Sequence, residues 1–258
     1  MLFNLMHEWT FDDITSTVNQ PLASNFSIED SWGKADLYAE NGPFLRDGAD
    51  CVYGKCLDFI NDSITNLNRV YRSDSVVYSS AYTISYWVNK RSACRYNGGI
   101  YTNDKWSGIK IFNENEESLL TLFEGREELR IILCFTNSTS KTLTINMNKD
   151  IYNNWHFITL SYNDNTKYLK ASLDGNIFYN NVVEPSKNIR TSNNARISIG
   201  NASTYWTKGK VDDFRIYNTE LSSAKIKQNY IAGLNSMLAN GTLLKDEYNE
   251  RLQSLAID

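Results

Sequence analysis

Trp155-His156-Phe157-Ile158-Thr159-Leu160-Ser161-Tyr162 alternates its faces with a period of two. That is the side-chain period of a β-strand. The chain then runs from Tyr168 to Asp174, turns at Gly175, and resumes with Ile177-Phe178-Tyr179. Asp-Gly between two apolar runs is a strong hairpin signal, because glycine takes the positive φ that tight turns need. Working outward, Tyr82-Thr83-Ile84-Ser85-Tyr86-Trp87-Val88 alternates in the same way. Leu129-Arg130-Ile131-Ile132-Leu133-Cys134-Phe135 reads as a strand buried on both sides. Arg196 to Gly200 and Lys210 to Tyr217 supply two further strands. From Trp9 to Tyr217 short strands are broken by Asn, Asp, Gly and Ser clusters, which is the pattern of an all-β fold.

After Asn218 the period changes. Ile226, Tyr230, Ile231, Leu234, Met237 and Leu238 recur at helical spacing, with Ser222 placed as N-cap and Asn240-Gly241 as the stop. Leu244, Tyr248, Leu252 and Leu255 mark a second amphipathic run. Two short helices joined by a few residues form an αα-hairpin. The expected division is a β-sandwich over residues 1–221 and a helical hairpin tail over 222–258.

Composition narrows the function. The chain has 258 residues, 41% hydrophobic and 22% charged, with a net charge of −4. A single all-β domain can reach that length. No basic stripe is present, and phosphate backbones need clustered Lys and Arg, so nucleic acid is excluded as a partner. No run of eighteen or so apolar residues exists to cross a membrane as a helix. Four cysteines, Cys51, Cys56, Cys94 and Cys134, contain no CxxC pair and stand beside only 2 His residues, which argues against zinc. Cys51 and Cys56 bracket Val52-Tyr53-Gly54-Lys55, a stretch able to turn back and join them, which leaves Cys94 and Cys134 for each other. Four free thiols in a reduced compartment are the alternative.

The motifs resemble a known family. Gly54-Lys55-Cys56-Leu57-Asp58-Phe59 resembles the G-x-x-L-x-F strand of laminin-G-like domains, and Tyr82 to Val88 resembles their F-T-I-S-x-W-V strand. Asn154-Trp155-His156-Phe157-Ile158 resembles x-W-H-H-V, with the Leu173-Asp174-Gly175 hairpin at the usual distance. Glu8-Trp9-Thr10-Phe11-Asp12-Asp13 resembles the opening x-W-x-F-D-E. Gly209-Lys210-Val211-Asp212-Asp213-Phe214-Arg215-Ile216-Tyr217 to Ser222 resembles the closing G-x-I-D-D-V-R-I-Y-N-R-A-L-S. These landmarks cover most of residues 7–230, while Asn89 to Asn148 matches poorly. The resemblance implies a two-sheet antiparallel jelly-roll sandwich of the concanavalin A-like type. The tail, Tyr230 to Leu255, resembles C-terminal helical segments of bacterial pilin-like surface proteins, with Leu244 where that pattern wants a Thr N-cap.

The family also hosts glucanases, which need two carboxylates across the scissile bond. The resemblance implies an E-x-D-x-x-E strand for that work. Neither Glu114-Asn115-Glu116-Glu117 nor Glu124-Gly125-Arg126-Glu127-Glu128 has this spacing, so the expected protein is not an enzyme. No G-x-S-x-G elbow is present, and His156 reads as a structural histidine. The resemblance to glucanases further implies a structural calcium ion. Their V-D-Y-V-R-V-Y strand matches Val211 to Tyr217 and carries a calcium ligand at the Asp212 position. The first and last strands of a jelly roll lie together, so Asp12, Asp212 and Asp213 are the candidate metal ligands, since calcium takes carboxylate and carbonyl oxygens. The alternative for Asp212 is a structural acid that accepts backbone hydrogen bonds. Trp106, Trp206, Tyr205 and Tyr101 stand in polar, loop-like contexts and are the candidate ligand-binding aromatics. Loop aromatics that plug the sandwich ends are the alternative.

The expected function is therefore a non-catalytic extracellular or cell-surface binding module, lectin-like or adhesive, whose partner is a glycan or a cell-surface protein. The competing expectation is a structural or pilus-like subunit that self-associates through residues 222–258.

Overall fold

A computed structural model of the chain describes residues 5–33, 35–61, 68–97, 100–104, 107–202 and 204–255. In chain order the strands are β1 Leu5–Trp9, β2 Ser27–Ile28, β3 Leu37–Glu40, β4 Phe44–Asp47, β5 Lys55–Phe59, β6 Arg69–Tyr78, β7 Ala81–Asn97, β8 Ile100–Asp104 and β9 Ser107–Phe112. They continue as β10 Ser118–Glu124, β11 Glu128–Cys134, β12 Ser140–Asn146, β13 Trp155–Asn163, β14 Tyr168–Leu173, β15 Asn176–Val182, β16 Ser192–Ile199, β17 Asn201–Ala202 and β18 Tyr205–Tyr217. Two helices follow, α1 Ser223–Asn240 and α2 Lys245–Ser254.

The strands form two antiparallel sheets. One runs β15-β14-β13-β7-β18-β5-β4, with β1 and β17 on β18 and β8 on β7; the other runs β12-β11-β10-β9-β16-β6-β3-β2. The fold is the expected jelly-roll sandwich. Its core lies between the sheets and is filled from alternate positions of each strand. Ile84 and Tyr86 of β7, Ile158, Leu160 and Tyr162 of β13, and Phe214 and Ile216 of β18 meet Leu120 and Leu122 of β10, Leu129, Ile131 and Leu133 of β11, and Ile197 and Ile199 of β16. Trp9 is wholly buried there, and its indole N–H donates to the Ala35 carbonyl at 3.0 Å.

A second apolar cluster lies on the outside of the first sheet. Trp87, Trp155 and Phe157 point away from the sandwich core and pack on Tyr230, Leu234 and Met237 of α1. The Trp87 and Tyr230 rings stack at 5.4 Å. Gly233 is required at the crossing, since a Cβ there would lie 2.2 Å from the Trp87 indole. Ser222 caps α1 by accepting from the Lys225 N–H at 3.2 Å, and Gly241 ends it at φ +84°. The Leu244 side chain caps nothing and is 76% exposed. Short helices are marginal alone. These gain stability by burying an apolar side against their own sandwich.

This packing reverses two expectations. Trp155–Asn163 does not alternate in burial: eight consecutive residues are buried, because the helices cover the face that would otherwise meet water. Leu129 to Phe135, expected to be buried on both sides, alternates as far as Leu133: Arg130 and Ile132 are only half-buried on the outside of the second sheet, while Cys134 and Phe135 are buried. The hydrophobic run at Ile131-Ile132-Leu133 hid a strand with one open face.

Candidate functional site

The last strand and its neighbours gather the expected acids. The register of β18 on β7 breaks between Asp212 and Arg215, and Asp213 takes φ +49°. This irregularity buries two consecutive aspartates together. Asp212 Oδ2 accepts from the Val52 and Tyr53 N–H groups, each at 2.9 Å, while Oδ1 has no partner among the described residues. Arg215 forms ion pairs with Asp213 (Nη2 to Oδ1, 2.8 Å) and with Glu8 of the first strand (Nε to Oε1, 2.7 Å), neither in hydrogen-bonding geometry. Asp12 Oδ1 accepts from the Lys55 N–H at 2.7 Å, and the Lys55 ammonium donates to the carbonyls of Asp12 and Ile14 at 3.0 and 2.6 Å. Burial pushes Asp212 well above the usual carboxylate range, and the charges of Asp213 and Asp12 add to it. Burial likewise pushes Asp213 up to about 6 despite Arg215, and raises Asp12. The three acids therefore sense one another. Among the described residues, however, no three His, Cys, Asp or Glu side chains converge as a metal site.

Cys51 and Cys56 form a disulfide with Cα atoms 5.5 Å apart. It closes the loop whose amides serve Asp212. The same loop seats the tail: Asn240 Nδ2 donates to the carbonyls of Gly48, Cys51 and Val52, and Thr242 Oγ1 donates to Cys51 at 2.8 Å. The expected Cys94–Cys134 bond is not formed, since Cys134 is a free, buried thiol. Distance explains this. Cys134 lies close enough to Tyr82 to influence its hydroxyl, whereas Cys94 stands far along the same strand. Twelve residues of extended chain separate Tyr82 from Cys94, roughly 40 Å. The side chain of Cys94 lies outside the described residues.

The histidines are structural. His156 Nδ1 meets Asp174 Oδ2 at 2.8 Å, and Asp174 Oδ1 accepts from the Phe157 N–H at 3.0 Å. Burial opposes ionisation of Asp174, but His156 and Lys149 outweigh it and hold the carboxyl below its usual range. His7 and Asp30 form a similar pair at 2.7 Å. Three residues of the acidic clusters are paired in the same way. Glu116 pairs with Arg196 at 2.5 Å, Glu117 with Arg190 at 3.5 Å, and Glu124 is buried and accepts from the Tyr86 hydroxyl.

Of the candidate aromatics, Trp106 and the side chain of Tyr101 lie outside the described residues. Tyr205 and Trp206 are half-buried at the start of β18. Tyr205 meets Phe123 edge-on at 5.2 Å, beside Ile132 on the outside of the second sheet. Sequence reasoning passed over that surface. Its floor is Thr121 and Ser198, and Ile132, Lys110 and Tyr71 stand half-buried between and beside them. Among the described residues no helix packs on this face. Its only sequence signal was the polar member of each alternating pair, and which strands are neighbours is not written there.

Residues 66–227 match a laminin G family described as the concanavalin A-like lectin/glucanases superfamily. That span is more than half of the chain, and the protein belongs to this family. The match ends within α1 and leaves most of the helical tail uncovered. No curated protein matches the chain significantly. Among solved structures, the chain is similar to the receptor-binding domain of botulinum neurotoxin mosaic serotype C/D, with 15% identity and a TM-score of 0.60 over 90% of this chain and 51% of that one. The binding domain of Paraclostridial Mosquitocidal Protein 1 gives 18% identity and a TM-score of 0.60, over 90% and 53%. The chain thus spans about half the length of these domains. At such identities the likeness concerns the fold.

Proposed function

We propose that this protein is an extracellular, non-catalytic binding module that takes a glycan or a glycosylated surface protein on the outside of its second sheet. One observation carries the reading: the tail covers the outer face of the first sheet, and the described residues leave the outer face of the second uncovered. The fold is shared with domains whose names describe receptor binding, and the Cys51–Cys56 disulfide suits an oxidising compartment. Fold alone does not assign function, so the absence of chemistry at the acids matters too. Glu116, Glu117 and Glu124 are each held by a partner. The test is binding of the labelled full chain to a glycan array and to cells before and after enzymatic deglycosylation. Loss of cell binding on deglycosylation supports the reading. Undiminished binding to deglycosylated cells overturns the glycan part.

Calcium is a proposal for the cluster at Asp12, Asp212 and Asp213, and it rests on one atom, the unpartnered Oδ1 of buried Asp212. Lys55 weighs against it, because its ammonium takes two carbonyls that the ion would use. An ion bound only by the native state raises Tm. A Tm that falls with chelator, recovers with calcium and ignores both in Asp212→Asn supports the ion. A Tm indifferent to chelator assigns Asp212 as a hydrogen-bonded structural acid.

A further inference from the structure

The registers of the second sheet place six side chains in one line across its open face. Ile132 of β11 stands opposite Thr121 of β10, and Thr121 opposite Lys110 of β9. Lys110 stands opposite Ser198 of β16, Ser198 opposite Tyr71 of β6, and Tyr71 opposite Tyr38 of β3. Their sequence neighbours, Leu120, Leu122, Ile109, Ile111, Ile197, Ile199 and Val70, fill the core, so strand alternation sends the six outward. Long and short side chains alternate from Ile132 to Tyr71. Thr121, 5% exposed, is sunk between Ile132 and Lys110; Ser198, 2% exposed, is sunk between Lys110 and Tyr71. Each slot has a hydroxyl at its floor, and the Ser198 hydroxyl has no partner among the described residues.

The charge along this line is as specific as its shape. Of the arginines that border it, Arg69 and Arg196 are neutralised by Glu40 at 2.7 Å and Glu116 at 2.5 Å, and Arg130 stands half-buried beside Ile132. Lys110, at the centre, makes no ion pair among the described residues; its ammonium lies over the Phe112 ring at 5.1 Å. The line therefore offers one cation flanked by two recessed hydroxyls, with apolar walls beyond them: Ile132 on one side and the Tyr71–Tyr38 ring pair, 6.3 Å apart, on the other.

We infer that this line is a binding site for an acidic oligosaccharide. A carboxylate or sulfate would meet Lys110, hydroxyls would meet Thr121 and Ser198, and ring faces would meet Ile132 and Tyr71. This rests on the binding-module reading above and names its ligand class. Sugars fit better than the other anionic partners. An extended acidic peptide would pair with a sheet edge, and these strands lie inside the sheet. A lipid surface calls for several unpaired cations and protruding apolar side chains, whereas this line is recessed and holds one.

The experiment uses the full chain on an array of sialylated, uronate-containing and sulfated oligosaccharides beside their neutral counterparts, followed by titration with the best binder. Acidic sugars should bind and neutral ones should not, and the sialylated, uronate and sulfated arms identify the source of the charge. Lys110→Gln should weaken binding by about tenfold or more, the scale of a lost charge-assisted hydrogen bond. Lys110→Arg should retain it, and Ser198→Val, which fills a slot, should weaken it comparably. Both weakened variants should melt with the wild type. Equal binding of neutral sugars, or indifference to Lys110→Gln and Ser198→Val, overturns the site and leaves the module reading standing. Equal competition by an acidic peptide overturns the ligand class. No binding to any sugar, with cell binding unchanged by deglycosylation, overturns both.

Discussion

The two sheets of this sandwich put their outer faces to different use. On the first, Trp87, Trp155 and Phe157 lie beneath a helical hairpin and are sealed from water. On the second, Lys110, Ile132, Arg130 and Tyr71 are half-exposed, with hydroxyls recessed between them. Each face has the side chains its environment demands. Large aromatics need a cover, and a recessed hydroxyl row needs water or a ligand. The difference teaches that the tail is part of the fold of the first sheet, while among the described residues no helix packs on the second.

The comparison is broken most forcefully at Trp87. Trp87→Ala removes the ring that stacks on Tyr230 and opens a cavity between sheet and tail. It should cost about 3–5 kcal/mol, the range for large buried aromatics. Chemical denaturation checks this, and limited proteolysis should then release residues 222–258 before the sandwich is cut. Equal stability would mean that the helices rest on the sheet without supporting it.

Acidity tests the junction between the two regions. Asp213 is raised to about 6 from an ordinary 3.8. Its folded pKa lies above its unfolded one, so the folded chain keeps a proton that the unfolded chain has lost between about pH 4 and 6. Stability from this group therefore falls as pH rises through that window, by about 3 kcal/mol in full. Asp212 acts in the same direction. Asp30 has the opposite sign: it is lowered to about 2, and its contribution is present above pH 4 and lost as pH falls. Tm should accordingly peak near pH 4–5, and Asp213→Asn should flatten the slope between 4 and 6. A steeper slope in that variant would reverse the assignment.

The loop between these acids and the tail should matter a little less. Cys51→Ser with Cys56→Ser removes a short covalent loop worth about 2 kcal/mol by chain entropy. Because Asn240 and Thr242 hang on the Cys51 and Val52 carbonyls, amide exchange should quicken in α1 before it quickens in β10 or β11. Uniform quickening would separate the disulfide from the seat.

Much of this was legible because it is local. Alternation, the Asp174-Gly175 turn and the helical spacing after Ser222 are all properties of neighbours in sequence, and they place the strands, the sandwich and the hairpin correctly. Asp12, Asp212 and Asp213 were readable as a group because a jelly roll joins its first and last strands. What could not be read is which face each element covers. The same alternation serves Trp155–Asn163, buried on both sides, and Leu129–Cys134, open on one, because the difference lies in a helix some seventy to a hundred residues downstream. The Lys110 line was hidden for the same reason. Its members come from six strands, and only the sheet order β11-β10-β9-β16-β6-β3 brings them together.

The smallest expected effect discriminates best between the two faces. Both carry hydroxyls without a partner among the described residues: Ser172 of β14 beneath the hairpin and Ser198 of β16 on the open side. A sealed, unpartnered hydroxyl costs desolvation energy with no return. Ser172→Ala should therefore leave stability unchanged or raise it by up to about 1 kcal/mol, and it should not affect ligand binding. The Ser198 hydroxyl is equally buried, so Ser198→Ala should likewise leave stability unchanged or raise it by up to about 1 kcal/mol. Yet it should weaken binding of the acidic oligosaccharide several-fold, because the ligand loses a donor or acceptor at the slot floor. Thermal melts and titrations of the two variants, run side by side, decide the matter. Two variants alike in both measurements would make the orphan hydroxyls a common feature of small residues in crowded sheets, and the open face would lose its claim to be built for a ligand.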